Sequence, residues 1–236
     1  WTYDTASPTM TITSTAGTAD GGSSNVEAFA LTFTSNEATD DFAVGDITAT
    51  GTGGADGCTL GGFGAVGGST TVYAATCTPD NAGETVNVLV AAGTFTDAVA
   101  NTNSVSNTFD WTYDTTAPTI GITSIAGDDY VNEDEYEDNG FDVVGSVSGA
   151  NGQTVTVDYG GASSTCTAAS GAFTCTFSTS VLAAANSGSG VSDSSSPGVT
   201  VTANVDDAAG NSATGASVSI TQDTADPTMT ITSGTV

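Results

Sequence analysis

The side chains of this 236-residue chain that could do chemistry are 27 carboxylates and four cysteines. The sequence contains no Lys, Arg or His, so its formal net charge at pH 7 is −27. Without cationic side chains the chain cannot clamp a phosphate, and it repels nucleic acids and anionic membrane surfaces. Without His, the chain cannot use Ser-His-Asp or Cys-His catalysis. It also cannot form a His-based zinc site.

Carboxylates are the ligands that hard cations prefer, and calcium is the foremost of these cations. Uncompensated negative charge also opposes a compact fold by self-repulsion, which bound divalent ions or high ionic strength would relieve. The composition therefore predicts calcium as the cofactor. The alternative is that the acids are solvated turn residues, since Asp is favoured in turns for its own hydrogen-bonding reasons.

The cysteines form two local pairs in the sequence, Cys58 with Cys77 and Cys166 with Cys175. An even count in an acidic, β-rich chain favours disulfides and an oxidising compartment outside the cell. Each cross-link would add roughly 3 kcal/mol. Because Ser170-Gly171 forms a good turn, we expect Cys166 and Cys175 to face each other across a hairpin. Four buried free thiols, a zinc cluster and a redox switch are less favoured alternatives.

Hydrophobic residues alternate with small or polar ones along short segments, which predicts an all-β fold. Phe29, Leu31 and Phe33 show this period of two, as do Val86, Val88 and Val90. A longer loop is expected at 179–198, with a helical turn at 181–185. The predicted strands lie near 9–13, 27–34, 46–50, 57–60, 70–78, 85–91 and 104–113, and then near 119–124, 141–147, 153–159, 163–168, 172–178, 198–205 and 214–222.

A sequence repeat sets the predicted domain organisation. WTYDTASPTMTITS opens the chain, and WTYDTTAPTIGITS and ITQDTADPTMTITS repeat it further on. Asp4, Asp114 and Asp223 align at spacings of 110 and 109 residues. At each junction a strand ends, Asp-Thr-x-x-Pro follows, and the proline stiffens the link to the next strand.

Two complete domains of immunoglobulin-like size are therefore expected, with about seven strands each. We expect these domains to be β-sandwiches that follow one another in tandem as a rod. The predicted segments are the last strand of a preceding repeat at 1–3, domain 1 at 4–113, domain 2 at 114–222, and at 223–236 a linker with the first strand of a following repeat.

Several motifs resemble a known family. Domain 2 contains GDDYVN, GQTVTVDY and VTANVDDAAGN before its DT-x-x-P junction, and domain 1 contains ALTFTSNEATDDFAVGDITATG. These stretches resemble the tandem bacterial immunoglobulin-like repeats of giant biofilm-associated and RTX-type adhesins. The resemblance implies an extracellular stalk whose domain junctions are rigidified by calcium. The cysteine pairs, the 179–198 loop and the absence of basic residues depart from the family pattern.

Sandwich topology predicts where calcium ligands would gather. The loop between the sixth and seventh strands should lie near the incoming linker, and the loop between the first and second strands near the outgoing one. The candidate ligands at the incoming linkers are Asp4 with Asp97 and Asn101, and Asp114 with Asp206, Asp207 and Asn211. The candidates at the outgoing linkers are Asp20 and Glu27, facing Asp114, and Asp128 and Asp129, facing Asp223.

The function expected from these features is a structural stalk or filament segment of an adhesin or surface fibre, not an enzyme. Its expected partners are adjacent repeats or identical subunits, with surface glycans or proteins reached through other domains. Neither nucleic acid nor direct membrane insertion is expected. One alternative is a filament subunit joined by strand addition. Another is a carbohydrate-binding module that uses Trp1 and Trp111.

Overall fold

The computed structural model describes residues 3–14, 19–52, 57–186, 198–223 and 229–230. The chain divides into two compact units, Trp1–Thr116 and Ala117–Val236. The all-β prediction is confirmed, because nearly all the regular secondary structure in the described part of each unit consists of strands, which form two sheets. Residues 1–2 of the expected preceding strand, and most of the expected following strand at 228–232, lie outside the described residues.

Unit 1 contains eight strands in the described residues rather than the seven expected. Its sheets have the strand orders β1-β3-β6-β5 and β2-β8-β7-β4. The strands are β1 Met10–Ser14, β2 Gly22–Ser24, β3 Phe29–Ser35, β4 Ile47–Gly51, β5 Cys58–Ala65, β6 Val72–Pro79, β7 Glu84–Val90 and β8 Phe109–Tyr113.

Unit 2 also has eight described strands, in sheets of order β14-β11-β9 and β10-β16-β15-β12-β13. The expected helical turn is a helix of eight residues, α1 Thr179–Asn186. A π-helical turn, Asp134–Asn139, follows β10. The strands are β9 Thr119–Ile125, β10 Tyr130–Asn132, β11 Phe141–Ser148, β12 Thr154–Tyr159, β13 Ala162–Thr167, β14 Ala172–Phe177, β15 Val199–Val205 and β16 Ala216–Asp223.

The strand missed in each unit is the second one, a three-residue segment. β2 runs parallel to the last strand of unit 1, with Gly22 opposite Trp111, and β10 runs parallel to β16, with Tyr130 opposite Thr221. Neither GSS nor YVN is long enough to show an alternating hydrophobic pattern. These strands form because the chain passes an open edge of the sheet, which a local pattern does not reveal.

Alternation of side chains builds both cores as expected. The odd positions of β3 and the even positions of β7 point inward in unit 1, and Val155, Val157 and Tyr159 do so in unit 2. Trp111 is fully buried and stacks on Phe29 with ring centroids 4.5 Å apart. The alternative in which Trp111 presents an exposed face to a sugar is therefore wrong.

Both disulfides are present and both join the fifth strand to the sixth. Cys58 of β5 bonds Cys77 of β6, and these strands are neighbours in one sheet. Cys166 of β13 bonds Cys175 of β14, but these strands belong to opposite sheets. The predicted turn at Ser170-Gly171 is present, because Ala169 and Ala172 exchange backbone hydrogen bonds across it. The expected pairing of the two cysteine strands is wrong, because beyond this turn β13 pairs with β12 and β14 pairs with β11.

Gly145 in β11 lies where two strands approach too closely for a side chain. A Cβ atom there would overlap the Gly121 carbonyl oxygen and the Phe173 ring. Gly145→Ala should therefore lower the free energy of unfolding of unit 2 by about 1–3 kcal/mol through overpacking. Gly121→Ala is the matched control, because its Cβ would lie an ordinary 3.4 Å from Ser146 Oγ. Urea unfolding followed by circular dichroism measures both variants, and equal losses would contradict the prediction.

Candidate metal centre

The loop after β7 is shaped by one carboxylate. Asp97 Oδ1 accepts hydrogen bonds from the Val99 amide at 2.9 Å and the Asn101 amide at 2.8 Å. Asp97 Oδ2 accepts a third from Asn101 Nδ2 at 2.8 Å. The Asp97 amide in turn donates to the Asn101 carbonyl oxygen at 3.1 Å. Asp97 and Asn101, both predicted as ligands, thus form a closed turn that holds the carboxylate rigidly.

Unit 2 repeats this turn. Asp207 Oδ1 accepts hydrogen bonds from the Ala209 amide at 2.9 Å and the Asn211 amide at 2.8 Å, while Oδ2 accepts one from Asn211 Nδ2 at 2.9 Å. Asp206 and Ser212 pair across the base of the loop. The residues predicted here therefore come together within unit 2. The hydrogen bonds also show that Asp207 has a structural role whether or not it binds a metal.

The two turns differ at the residue before the asparagine. This position is left-handed in both, with φ of 69° at Ala100 and 89° at Gly210. An L-residue with a Cβ atom is strained there, whereas glycine is not. The turn of unit 1 therefore forms against a small conformational penalty that unit 2 avoids.

We expect Ala100→Gly to raise the free energy of unfolding of unit 1 by about 1 kcal/mol, because it removes this strain. Gly210→Ala should lower that of unit 2 by a similar amount. Differential scanning calorimetry of the two variants and the parent chain would show shifts of opposite sign in the two units. Shifts of the same sign, or none, would contradict this account.

Three carboxylates of unit 1 converge beside the Asp97 turn. Asp4, Glu37 and Asp97 each place one oxygen within 4.8 Å of the others. Asp97 is buried, Glu37 is half-buried and Asp4 is exposed. The same three residues, with Ala38, Ala98 and Val99, line a cavity of about 120 Å³. Within each unit, no other trio of acids in the described part of the chain comes this close.

Asp4 and Glu37 accept hydrogen bonds from neighbouring groups. Asp4 Oδ1 accepts from the Ala6 amide at 2.9 Å, and the Asp4 carbonyl oxygen accepts from Asn101 Nδ2 at 3.4 Å. Glu37 Oε1 accepts from Asn36 Nδ2 at 3.1 Å. Asn36 Oδ1 accepts from the Thr9 amide at 2.6 Å, which ties the loop after β3 to the strand that follows the linker.

The geometry fits a hard divalent cation. Calcium binds oxygen at about 2.3–2.6 Å, so two ligands on opposite sides of it lie roughly 5 Å apart. The three carboxylate oxygens lie within 4.8 Å of one another and so meet that condition. The ion's remaining positions would need carbonyl oxygens and water. A bound cation would offset the repulsion among these charges, which no basic residue of the sequence can do.

Hydrogen bonding keeps Asp97 ionised. Burial acts to raise the pKa of the Asp97 carboxyl, but the bonds from the Asn101 side chain and from the Asn101, Val99 and Ala100 amides outweigh it, so the pKa is lowered. A metal at this site would not have to displace a proton from Asp97 at neutral pH.

Two further acids that the sequence analysis missed act here. Glu37 completes the trio, and the only signal for it is topological, since the loop after β3 lies at the same end of the sandwich as the loop after β7. Asp41 accepts hydrogen bonds from the Thr96 amide at 2.9 and 3.1 Å, the Thr96 hydroxyl at 2.8 Å and the Thr39 hydroxyl at 2.9 Å. Asp41 therefore anchors the base of the Asp97 turn.

The other predicted ligands of unit 1 lie apart from this trio. Asp20 Oδ1 accepts from the Asp110 amide at 2.8 Å, which fastens the loop after β1 to β8. Glu27 is exposed between β2 and β3. Asp114 Oδ1 accepts from the Thr116 amide at 2.9 Å. Asp114 lies in unit 1 and Asp207 in unit 2, so a shared site at that junction stays a prediction.

Of the remaining predicted ligands of unit 2, Asp128 and Asp129 accept hydrogen bonds from nearby backbone amides. Asp128 Oδ1 accepts from the Tyr130 amide at 3.1 Å, and Asp129 Oδ1 accepts from the Ile125 amide at 3.0 Å. Asp223 ends β16, opposite Asn132.

Stability should depend on pH through Asp41 and Asp97. Partial burial acts to raise the pKa of Asp41, but the Thr96 and Thr39 hydrogen bonds outweigh it and lower the pKa. A carboxyl whose folded pKa lies below its unfolded value of about 3.9 stabilises the fold above that value, and this contribution is lost as pH falls through the folded pKa. Unit 1 should therefore lose stability below about pH 4.

Urea unfolding at pH 6, 4 and 2.5 would measure this loss. Asp41→Asn should flatten the pH dependence because the lowered carboxyl is gone, while Asp40→Asn at the exposed neighbouring position should leave it unchanged. A parent chain and an Asp41→Asn variant with parallel pH profiles would show that Asp41 does not contribute.

The paired sheets, with an extra short strand parallel to the last one, define each unit as an immunoglobulin-like β-sandwich. Residues 4–113 match the family model described as a bacterial Ig-like domain. This match identifies a bacterial Ig-like domain but does not distinguish the giant adhesins that the sequence motifs resemble. No curated protein matches the chain.

Solved structures with some likeness include the N-terminal part of the bacterial S-layer protein SbsC, with 13% identity and a TM-score of 0.29, covering 92% of this chain and 44% of that one. The D00-D0 domain of intimin gives 12% identity and 0.29, covering 89% of this chain and 98% of that one. The chain thus spans less than half of the SbsC fragment. At such low TM-scores these likenesses carry no argument about function. In the described residues, no helix is long and apolar enough to cross a membrane.

Proposed function

We propose that the chain is a structural segment of an extracellular bacterial surface protein, a stalk or fibre in which Ig-like units follow one another. The observation that carries this proposal is that two successive units each show eight strands in their described residues and a disulfide between the fifth and the sixth of these. Repetition of one sandwich is the plan of a spacer, whose role is to set length and stiffness.

The chemistry of the side chains supports a place outside the cell. Both pairs of cysteines are joined in disulfides, which persist in oxidising compartments and are rare in the cytosol. The absence of Lys and Arg leaves no site for trypsin-like proteases, which suits an exposed fibre. None of these features calls for catalysis, so we propose that the segment is not an enzyme.

Calcium is the ion that we propose for the Asp4, Glu37 and Asp97 site. The three carboxylates come from the linker and from the loops after β3 and β7, so a bound ion would cross-link three separate segments. By the sequence repeat, Asp114 with Asp206, Asp207 and Asn211 would form the related site at the next junction. That site has no counterpart of Glu37, because the loop after β11 (GANGQ) contains no acid.

The partners that we propose are adjacent repeats of the same chain or identical subunits. A carbohydrate-binding role is disfavoured for Trp111, because its side chain lies in the core beneath Phe29. Trp1 lies outside the described residues.

Thermal unfolding of the full chain with calcium, and with sodium chloride at matched ionic strength, tests the metal proposal. Calcium at about 100 times its Kd should stabilise unit 1 by roughly 2.7 kcal/mol. Glu37→Gln should weaken the affinity for calcium at least tenfold, because it removes one charged ligand. The variant keeps an oxygen that accepts the hydrogen bond from Asn36. Glu27→Gln, at an exposed acid of the same unit, is the control. Equal responses to both salts, or equal loss in both variants, would overturn the calcium site.

Small-angle scattering of the same chain tests the stalk. An extended particle in calcium that becomes more flexible with chelator would support a stiff spacer. A particle that is compact under both conditions would contradict the stalk proposal, even if calcium binds.

A further inference from the structure

The fifth strand is the element in which the two units differ. In unit 1 it lies beside the sixth strand, where β5 and β6 form an antiparallel ladder. In unit 2 it has changed sheets, because β13 forms its ladder with β12 and leaves β14 in the opposite sheet. The fifth strand along the chain can therefore join the edge of either sheet of this sandwich.

The disulfide plays a different part in each case. Cys58–Cys77 joins two strands that backbone hydrogen bonds already hold together. Cys166–Cys175 instead connects the outer strand of the five-stranded sheet to the outer strand of the three-stranded sheet. The cross-link in unit 2 is thus the only disulfide, beside the short backbone turn at 168–171, that ties β13 to the opposite sheet.

Few side-chain contacts otherwise hold β13. Its inward positions are the small residues Ala162, Ser164 and Cys166, whereas β5 places Leu60 and Phe63 against its core. Burial of a large apolar side chain stabilises a strand far more than burial of these small side chains can. The Ser164 hydroxyl does donate to the Thr176 carbonyl oxygen at 2.7 Å.

The neighbouring helix also leaves β13 loosely covered. An open groove of about 460 Å³ lies between the start of β13 and α1, lined by Gly161, Ala162, Ser163, Ser180, Val181 and Ala184. The ladder to β12, the hydrogen-bonded turn that leads into β14, one hydroxyl bond and the disulfide therefore carry most of the attachment of β13.

We propose that the Cys166–Cys175 disulfide is a reducible latch that holds β13 on unit 2, and that its reduction releases the strand while the rest of the sandwich stays folded. Cys166 is half-buried and Cys175 is fully buried, so a reductant approaches from the Cys166 side. Release of β13 uncovers the edge of β12, a row of backbone donors and acceptors open to another strand.

The chemistry is thiol–disulfide exchange with a dithiol reductant. One thiolate of the reductant attacks Cys166 Sγ, the Sγ–Sγ bond breaks, and Cys175 leaves as a thiolate that takes up a proton. The second thiolate of the reductant attacks the mixed disulfide, which frees Cys166 as a thiol after protonation and oxidises the reductant to its own disulfide.

Hydrogen exchange of the full chain, followed by mass spectrometry, tests the latch with dithiothreitol as the probe. On reduction, exchange of the β13 amides at 162–167 should speed up at least tenfold, while that of β15 at 199–205 changes less than twofold. Exchange of β5 at 58–65 in unit 1 should change less than threefold, since its ladder and apolar anchors remain. Reoxidation should restore slow exchange.

The double variant Cys166→Ser with Cys175→Ser should show fast exchange in β13 without any reductant, and Cys58→Ser with Cys77→Ser is the matched control. Slow exchange in β13 after complete reduction would overturn the latch, because the ladder alone would then suffice. Equally fast exchange in β13 and β15 would also overturn it, because unit 2 would then unfold as a whole.

Discussion

Negative charge without any basic partner is the constraint under which this chain folds. An acid in a chain with no Lys, Arg or His can be stabilised only by N–H and O–H donors, by water or by a bound cation. Backbone amides are the donors used most often in the described residues, at Asp97, Asp207, Asp41, Asp20 and Asp129. Because the amides inside strands are committed to ladders, these acids are confined to loops and turns. The loops therefore concentrate the charge.

The same constraint explains why one cluster stands out. Asp97 is satisfied by its own turn, but the approach of Asp4 and Glu37 adds two charges that its hydrogen bonds do not offset. An ion at this point would join the linker to two loops, so the residues that create the repulsion are also the ones that a cation would use. The acids that concentrate negative charge at this point are therefore the same residues that would stiffen the segment when a cation binds.

Packing of the fifth strand shows how two units with one strand order diverge. β5 contributes Leu60 and Phe63 and stays with the sixth strand, while the small residues of β13 fit at the edge beyond β12. In both units a cysteine on this strand reaches the sixth strand, in one case within a sheet and in the other between sheets. The disulfide therefore joins the same two strands in both units, although the fifth strand belongs to a different backbone ladder in each.

Much of the architecture could be predicted from the sequence because its signals are local. Alternation in FALTF and in TVNVLV places the strands and their inward faces, and the Asp-x-x-x-Asn spacing of residues 97–101 and 207–211 identifies the loops whose turns the carboxylates close. The absence of bases, the repeat and the cysteine pairs are properties of the sequence by itself. Only the tertiary structure decided which sheet receives the fifth strand, that Cys166 bonds across the sandwich and that Trp111 lies in the core. It also decided that β2 and β10 pair with the last strands and that Glu37 meets Asp4 and Asp97. The reason is that strand pairing and loop convergence depend on contacts between residues far apart in the chain, whereas a period of two specifies only which face of a strand is buried.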